Sequence, residues 1–535
     1  MLALLACTCS SDPVPTDESL AESARESVGE SAETADSEAQ EVVDPGWPTF
    51  PATVDVLHVT MRPTEDSEYS GTDDTLALCL TPEVCVTLAK PDWNDNEHGV
   101  VDVHIEEDLG LDRSELSALS WTIDDGGDQY RPACMAVSLD GEPWHCRNDY
   151  EVKLGTDDMD ELPVLNEDVQ MQCMGCWDTP LSHGPMTSTD STGTRFWIRT
   201  DATRRVLTYV NEVLVHIGYP VASEDFAHEV FVEGLQPPYS YRFEIDEVPV
   251  GPWSVQDPSA EGYRVAFGSC SKDDDQPIFG AIRSWDPDAF LFIGDNHYAN
   301  SNDLGALRAW YRWAHERSGR AELMAEASVY ATWDDHDYVG NNTDHTSEGG
   351  DVAKRVFDEY WANTIPARHV LGDAELFLVD DRTYRGLDDT LLGAEQTAWL
   401  TAALGESTAT WKLVASGSQF TQEGSSDSWA AYPEDYAAFL ESVSDVSGLV
   451  FLSGDIHRSE FRLLPGPSYD IPELTSSPLA TWNSPCQDES QLECEDDGDF
   501  FIGMVVTPET LTATMHSDDG GVLHAWVIEA STLQP

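Results

Sequence analysis

From Tyr263 onward, apolar runs of five to eight residues alternate with amphipathic stretches of helical spacing. The runs include RVAF, AFLFI, SVYAT, ELFLV, WKLVA and LVFLS, and between them lie PIFGAIRSW, LGALRAWYRWAHERS, KRVFDEYWAN, AEQTAWLTAAL and PEDYAAFLESV. This rhythm restricts the region to an α/β domain with a largely buried sheet, because strands apolar on both faces need helices to cover them. The tail, FFIGMVVTPETLTATMHSD and then LHAWVIEA, returns to strands and predicts antiparallel members at the end of the sheet.

The residues just past the end of each strand carry the chemistry. The four motifs are Gly268-Ser269-Cys270-Ser271, Gly294-Asp295-Asn296-His297-Tyr298, Trp333-Asp334-Asp335-His336-Asp337 with Asn341-Asn342, and Gly454-Asp455-Ile456-His457. Taken singly, each reads as something plain: a Gly-Asp turn, an inert core thiol, a solvated acidic loop, a capping histidine. Four in succession, at strand ends where open α/β sheets form their sites, point instead to one crevice lined with oxygen, nitrogen and sulfur donors. With Lys and Arg scarce in these motifs, such a crevice requires cations to neutralise it.

The string F-G-S-C-S, F-I-G-D-N-x-Y, Y-A-T-W-D-D-H-D with N-N, L-V-D-D-R-x-Y-R, S-G-x-Q and L-S-G-D-x-H resembles the PhoD-like alkaline phosphatases/phosphodiesterases over roughly residues 262–530. The resemblance implies a metallophosphatase domain of the calcineurin-like phosphoesterase superfamily, with a β-sandwich core flanked by helices and a site holding Fe(3+) and Ca(2+). By motif, Cys270, Asp295, Tyr298 and Asp455 match the iron-binding group, with Asp295 bridging the metals. Asp335 takes the place of an Asn ligand in related phosphoesterases, and His336 that of their substrate-facing histidine. Asn341 or Asn342, together with His457, supply further ligands or phosphate contacts; Asn342 and His457 are counted with the metal set. Arg382 matches a motif position from which a guanidinium could grip phosphate in a bidentate fork. Gln419 also matches, with a structural role equally open.

Physical chemistry supports these donor types. Thiolate and phenolate with carboxylates suit trivalent iron, and all-oxygen sets suit calcium. Two metals about 3.5–4 Å apart turn a bridging water into hydroxide for in-line attack on phosphorus. His336 would then protonate the departing alkoxide, with Asp337 fixing its ring.

Composition frames the rest. Among 535 residues, 27 Lys+Arg face 100 Asp+Glu, a formal charge of −73, which excludes nucleic-acid wrapping and polybasic membrane docking. Self-repulsion on this scale makes screening salt or divalent cations important. Residues 1–9 resemble a bacterial lipoprotein signal with Cys7 as the lipidated residue, although the basic region of a secretory signal is missing. Residues 10–46 read as a disordered acidic linker, 48–175 as a β-rich domain of unassigned role, and 177–255 as a fibronectin type III-like sandwich. The fold class expected is therefore multidomain, with N-terminal β-sandwich modules preceding the α/β metallophosphatase domain. The pairs Cys79/Cys85, Cys134/Cys146, Cys173/Cys176 and Cys486/Cys494 suit disulfides in an oxidising compartment, with half a zinc site as the alternative for Cys173-Met-Gly-Cys176. The function expected is a monomeric hydrolase of a phosphoester substrate, exported to the periplasm or to a bacterial surface as a lipoprotein. The competing expectation is a surface binding or adhesion protein acting through its β-modules, with a relict phosphatase domain.

Overall fold

The computed structural model describes residues 42–47, 50, 52–55, 57–63, 76–81, 84–87, 102–106, 109–116, 119–123, 132–147, 161–162, 181–255, 262–273, 275–420, 427–486 and 491–535. The expected signal with Cys7, nearly all of the acidic linker, Cys173 and Cys176 lie outside them, as do the side chains of Cys134 and Cys146.

The first segment is built of strands, with a single turn of 3-10 helix at Arg113–Glu115 among the described residues. One sheet runs Asp102–Glu106, Leu57–Pro63, Pro132–Leu139, Glu142–Arg147, and a second runs Glu161–Leu162, Leu119–Ile123, Leu76–Cys79, Cys85–Thr87. A Cys79–Cys85 disulfide crosses the last hairpin.

Between residues 181 and 255, strands Leu181–Asp190, Gly193–Thr200 and Ala227–Glu233 face a four-stranded sheet of Val206–Val210, Val213–Gly218, Tyr239–Ile245 and Val248–Val255. Strict alternation along YSYRFEI sends Tyr239, Tyr241, Phe243 and Ile245 inward, where they meet Phe196, Ile198 and Val230.

One expected boundary is not a break in the structure. Leu181–Asp190 pairs in parallel with Ser328–Thr332, placing Thr187 opposite Ser328, so the sandwich strands and the α/β strands belong to one nine-stranded sheet. Its order is Ala227–Glu233, Gly193–Thr200, Leu181–Asp190, Ser328–Thr332, Ala289–Ile293, Tyr263–Gly268, Phe500–Val506, Thr510–Ser517, Val522–Glu529. The last three strands are antiparallel to their neighbours, as the tail predicts. A seven-stranded sheet holds Ala367–Leu371, Ala374–Leu378, Trp411–Ala415, Leu449–Ser453, Ile471–Thr475, Ser459–Leu464 and Gln491–Glu495.

The two sheets share one core, in which Phe267, Phe290 and Phe292 of the first lie with Leu376, Leu413 and Leu452 of the second. AFLFI, SVYAT, WKLVA and LVFLS are buried at every position, which explains why they read as unbroken apolar runs. Helices Ile278–Trp285, Leu304–His315, Gly350–Tyr360, Gly393–Glu406 and Pro433–Ser442 match the five amphipathic stretches. Asp303 caps the second by accepting the Ala306 N–H at 2.8 Å.

Buried charge ties the segments together. Asp225 accepts from Arg199 at 3.0 and 3.1 Å, from Arg312 at 2.5 Å and from the Tyr360 hydroxyl, and the His58 ring stands 3.3 Å away. Those partners come from the first segment, the sandwich and the helices Leu304–His315 and Gly350–Tyr360.

Candidate metal centre

The carboxyl ends of Tyr263–Gly268, Ala289–Ile293, Ser328–Thr332 and Leu449–Ser453 deliver the four motifs to one place, three from adjacent strands of the first sheet and one from the second. Crossing loops must pass very close for this. A Cβ on Gly294, whose φ is +91°, would stand 2.6 Å from the Asp334 Cβ, and one on Gly454 would stand 2.4 Å from the Ser269 Oγ. The donors themselves sit in the left-handed region: Cys270 at φ 61°, Asp295 at 50°, Asp455 at 69° and His457 at 54°. Strained backbone of this kind concentrates at functional sites, where surrounding packing enforces it.

Two donor triads result. Ligand atoms of Cys270, Asp295 and His457 lie within 4.8 Å of one another, and so do those of Asp295, Asp335 and His336. Asp295 belongs to both. Its Oδ2 accepts from the Cys270 thiol at 3.4 Å and from the Tyr298 hydroxyl at 3.0 Å, while Oδ1 faces the His336 N–H at 3.4 Å. Tyr298 Oη also meets His457 Nε2 at 3.2 Å. Among the described residues, Asp335 Oδ1 and His457 Nδ1 are buried without a hydrogen-bond partner. Orphaned buried donors and acceptors carry a heavy desolvation cost, which a cation removes. These residues therefore fit a pair of cations.

The electrostatics agree. Burial, then the Cys270 thiolate and the Asp335 carboxylate, push the Asp295 carboxyl well above its usual range. Burial and Asp455 push the Cys270 thiol up to about 12, and burial with Asp335 and Asp427 raises Asp455 to about 8. Burial, with His336, lowers His457 to about 4. Acids resist ionising and imidazoles resist protonating here, as expected where the compensating positive charge comes from cations.

The structure revises several expected roles. Arg382 is not free to grip phosphate. Its side chain is wholly buried; Nε donates to Asp334, Nη1 to Asp427 at 3.1 Å and the Thr343 carbonyl at 3.2 Å, and Nη2 to Ser418 at 2.9 Å and Asp427 at 3.0 Å. With its donors committed, it braces the acidic loop from behind. Asp337 does not orient His336. It accepts the Asn296 N–H at 3.0 Å and the Asp334 N–H at 3.0 Å, and the His336 Nδ1 instead contacts Asn300 Oδ1. Asn342 brings its backbone, whose N–H donates to Asp335 Oδ2 at 2.6 Å, while its side chain is exposed. The Asp455 carboxylate belongs to neither triad; its carbonyl lies 3.6 Å from the Cys270 Sγ. Gln419 is structural, its amide donating to Glu460 at 2.7 Å and Thr475 at 3.0 Å.

Sequence reasoning missed Asn300 and Asp427. Asn300 lies in a polar loop without a motif, and Asp427, which pairs with Arg382 and Arg385, lies far from every motif in the chain.

Residues 303–489 match the family model described as PhoD-like phosphatase. A curated relative, alkaline phosphatase D of Bacillus subtilis (strain 168), is 26% identical over 329 residues, covering 46% of this chain and 56% of its own length. The chain thus spans little more than half of that relative. Among solved structures, PhoD superposes with a TM-score of 0.57 at 18% identity, covering 66% of this chain and 92% of its own. The purple acid phosphatase PPD1 from yellow lupin (Lupinus luteus) seeds gives 0.51 at 11% identity, covering 89% and 90%. These likenesses establish a metallophosphatase-like fold with extensive sheets. Residues 303–489 are thus similar in sequence to the PhoD-like phosphatases, and the chain is similar in fold to the two solved phosphatases.

Proposed function

We propose that the chain is an exported, metal-dependent phosphoric ester hydrolase acting as an alkaline phosphatase/phosphodiesterase. The observation that carries this reading is the pair of donor triads sharing Asp295. Fe(3+) suits the side built from Cys270, Asp295, Tyr298 and His457, and Ca(2+) is the family's expectation for the partner position beside Asp335. Such a pair, when bound, supplies charge neutralisation at the phosphoryl oxygens and an acidified water.

The chain's own residues do the remaining work. Asp295 holds both positions in register, with Tyr298 fixing its Oδ2. Asn300 Oδ1 contacts the His336 Nδ1 and holds the ring in place; as an imidazolium, with Nδ1–H turned to Asn300, that ring would give its Nε2 proton to the leaving-group oxygen and become neutral. Arg382 and Asp427 immobilise Asp334 and with it the following Asp335-His336 turn. Export is supported by the disulfides Cys79–Cys85 and Cys486–Cys494; anchoring through Cys7 and a monomeric state belong to the same proposal and are read by membrane partition and sedimentation.

The test is turnover of p-nitrophenyl phosphate with metal content measured by plasma mass spectrometry. Removing metal should abolish turnover, and Asp295→Ala should lower it by about 10²-fold or more with loss of bound metal. Full activity in the metal-stripped protein overturns the reading.

A further inference from the structure

Trp482 is the most exposed of the described tryptophans, at 63%, yet it is rigidly placed. Its ring sits 4.3 Å from that of His457, nearly perpendicular at 78°, and most of its surface is in solvent beside the donor cluster. The backbone on both sides is pinned to the site. Leu479 N–H donates to Ser269 at 2.8 Å, Ala480 N–H to Cys270 at 3.0 Å and Ser484 N–H to His457 at 2.8 Å. Beyond it, the Cys486–Cys494 disulfide closes the loop. An exposed indole on backbone pinned to the donor cluster offers a flat apolar surface to a ligand bound there.

Lys272 is tied to the same segment by its backbone and reaches the Tyr298 side of the donor cluster. Its N–H donates to the Ala480 carbonyl at 2.8 Å, and its Nζ lies 5.6 Å from the Tyr298 ring centroid. Of the three described lysines, Lys354 pairs with Asp358 and Lys412 donates to the Ala409 carbonyl, whereas Lys272 has no carboxylate within ion-pair distance among the described residues. A lysine with no ion-pair partner among the described residues, at the rim of a phosphoesterase-like site, fits an incoming anion.

We infer that Trp482 and Lys272 form a substrate subsite for phosphoesters bearing a planar aromatic group, aryl or nucleobase: the ring stacks on the indole and the ammonium takes phosphate charge. This rests on the proposed hydrolase activity and adds the substrate class. The key experiment compares kcat/KM for p-nitrophenyl phosphate and adenosine monophosphate with that for glycerol phosphate. In Trp482→Ala the aromatic-to-glycerol ratio should fall about tenfold, the size of one base–aromatic stack, and Trp482→Phe should restore most of it. Lys272→Ala should lower kcat/KM for all three alike. An unchanged ratio in Trp482→Ala overturns the inference. If the wild type hydrolyses none of the three, the hydrolase reading fails, and the inference is then judged by calorimetry on the metal-loaded protein. A wild-type preference for phenylphosphonate over methylphosphonate that vanishes in Trp482→Ala supports the subsite; equal binding of the two refutes it.

Discussion

Replacing Asp225 by Asn tests how the three segments are held together. The carboxylate is fully buried and faces two guanidiniums, with Arg199 at 3.0 Å and Arg312 at 2.5 Å, each itself at most 3% exposed. Asn keeps the shape, removes the charge, and turns an NH2 toward groups that are themselves donors. Breaking one buried pair costs about 3–5 kcal/mol because the surviving charge has no partner; with two arginines stranded, the upper half of that range is expected. The sign with pH is also fixed. Burial opposes ionisation, but Arg199 and Arg312 outweigh it and hold the Asp225 carboxyl well below its usual range. Its stabilisation is therefore fully present above the unfolded value of about 3.9 and is lost as pH falls from there toward the folded value. Urea unfolding followed by tryptophan fluorescence should show a constant deficit for Asp225→Asn between pH 8 and 5, narrowing below about pH 4. A deficit under about 1 kcal/mol at pH 7, or one that does not narrow in acid, refutes the reasoning.

Arg382→Lys should destabilise by about 2–4 kcal/mol, since one ammonium cannot serve Asp334, Asp427, Ser418 and the Thr343 carbonyl together; a tenfold rise in KM at unchanged stability would instead restore the phosphate-fork role. Asn300→Ala frees the His336 ring and should lower kcat about tenfold while metal content stays at the wild-type level. Gly294→Ala places a Cβ 2.6 Å from the Asp334 Cβ at a φ of +91°, and metal analysis with thermal denaturation should show weaker binding and a loss of about 2 kcal/mol or more. Reduction of Cys79–Cys85 and Cys486–Cys494 should lower the unfolding midpoint in urea, with a stability loss of at most about 2–4 kcal/mol per bridge given their short loops.

The sequence by itself determined the strand and helix rhythm after Tyr263 and the identities of Cys270, Asp295, Asp335 and His457. Both are local: a buried parallel strand must be an apolar run, and a donor placed at its end is read directly from the chain. Only the tertiary structure decided which distant groups satisfy one another. Arg382 and Asp427 are 45 residues apart, and Asn300 and His336 are 36 apart, so no spacing rule announces either contact. The same holds for the parallel pairing of Thr187 with Ser328, which fuses the sandwich strands to the sheet that carries the donor motifs, through backbone hydrogen bonds. Side-chain type names the donors and acceptors of a site, but whether an arginine meets a substrate or a carboxylate depends on which partner packing brings within about 3 Å.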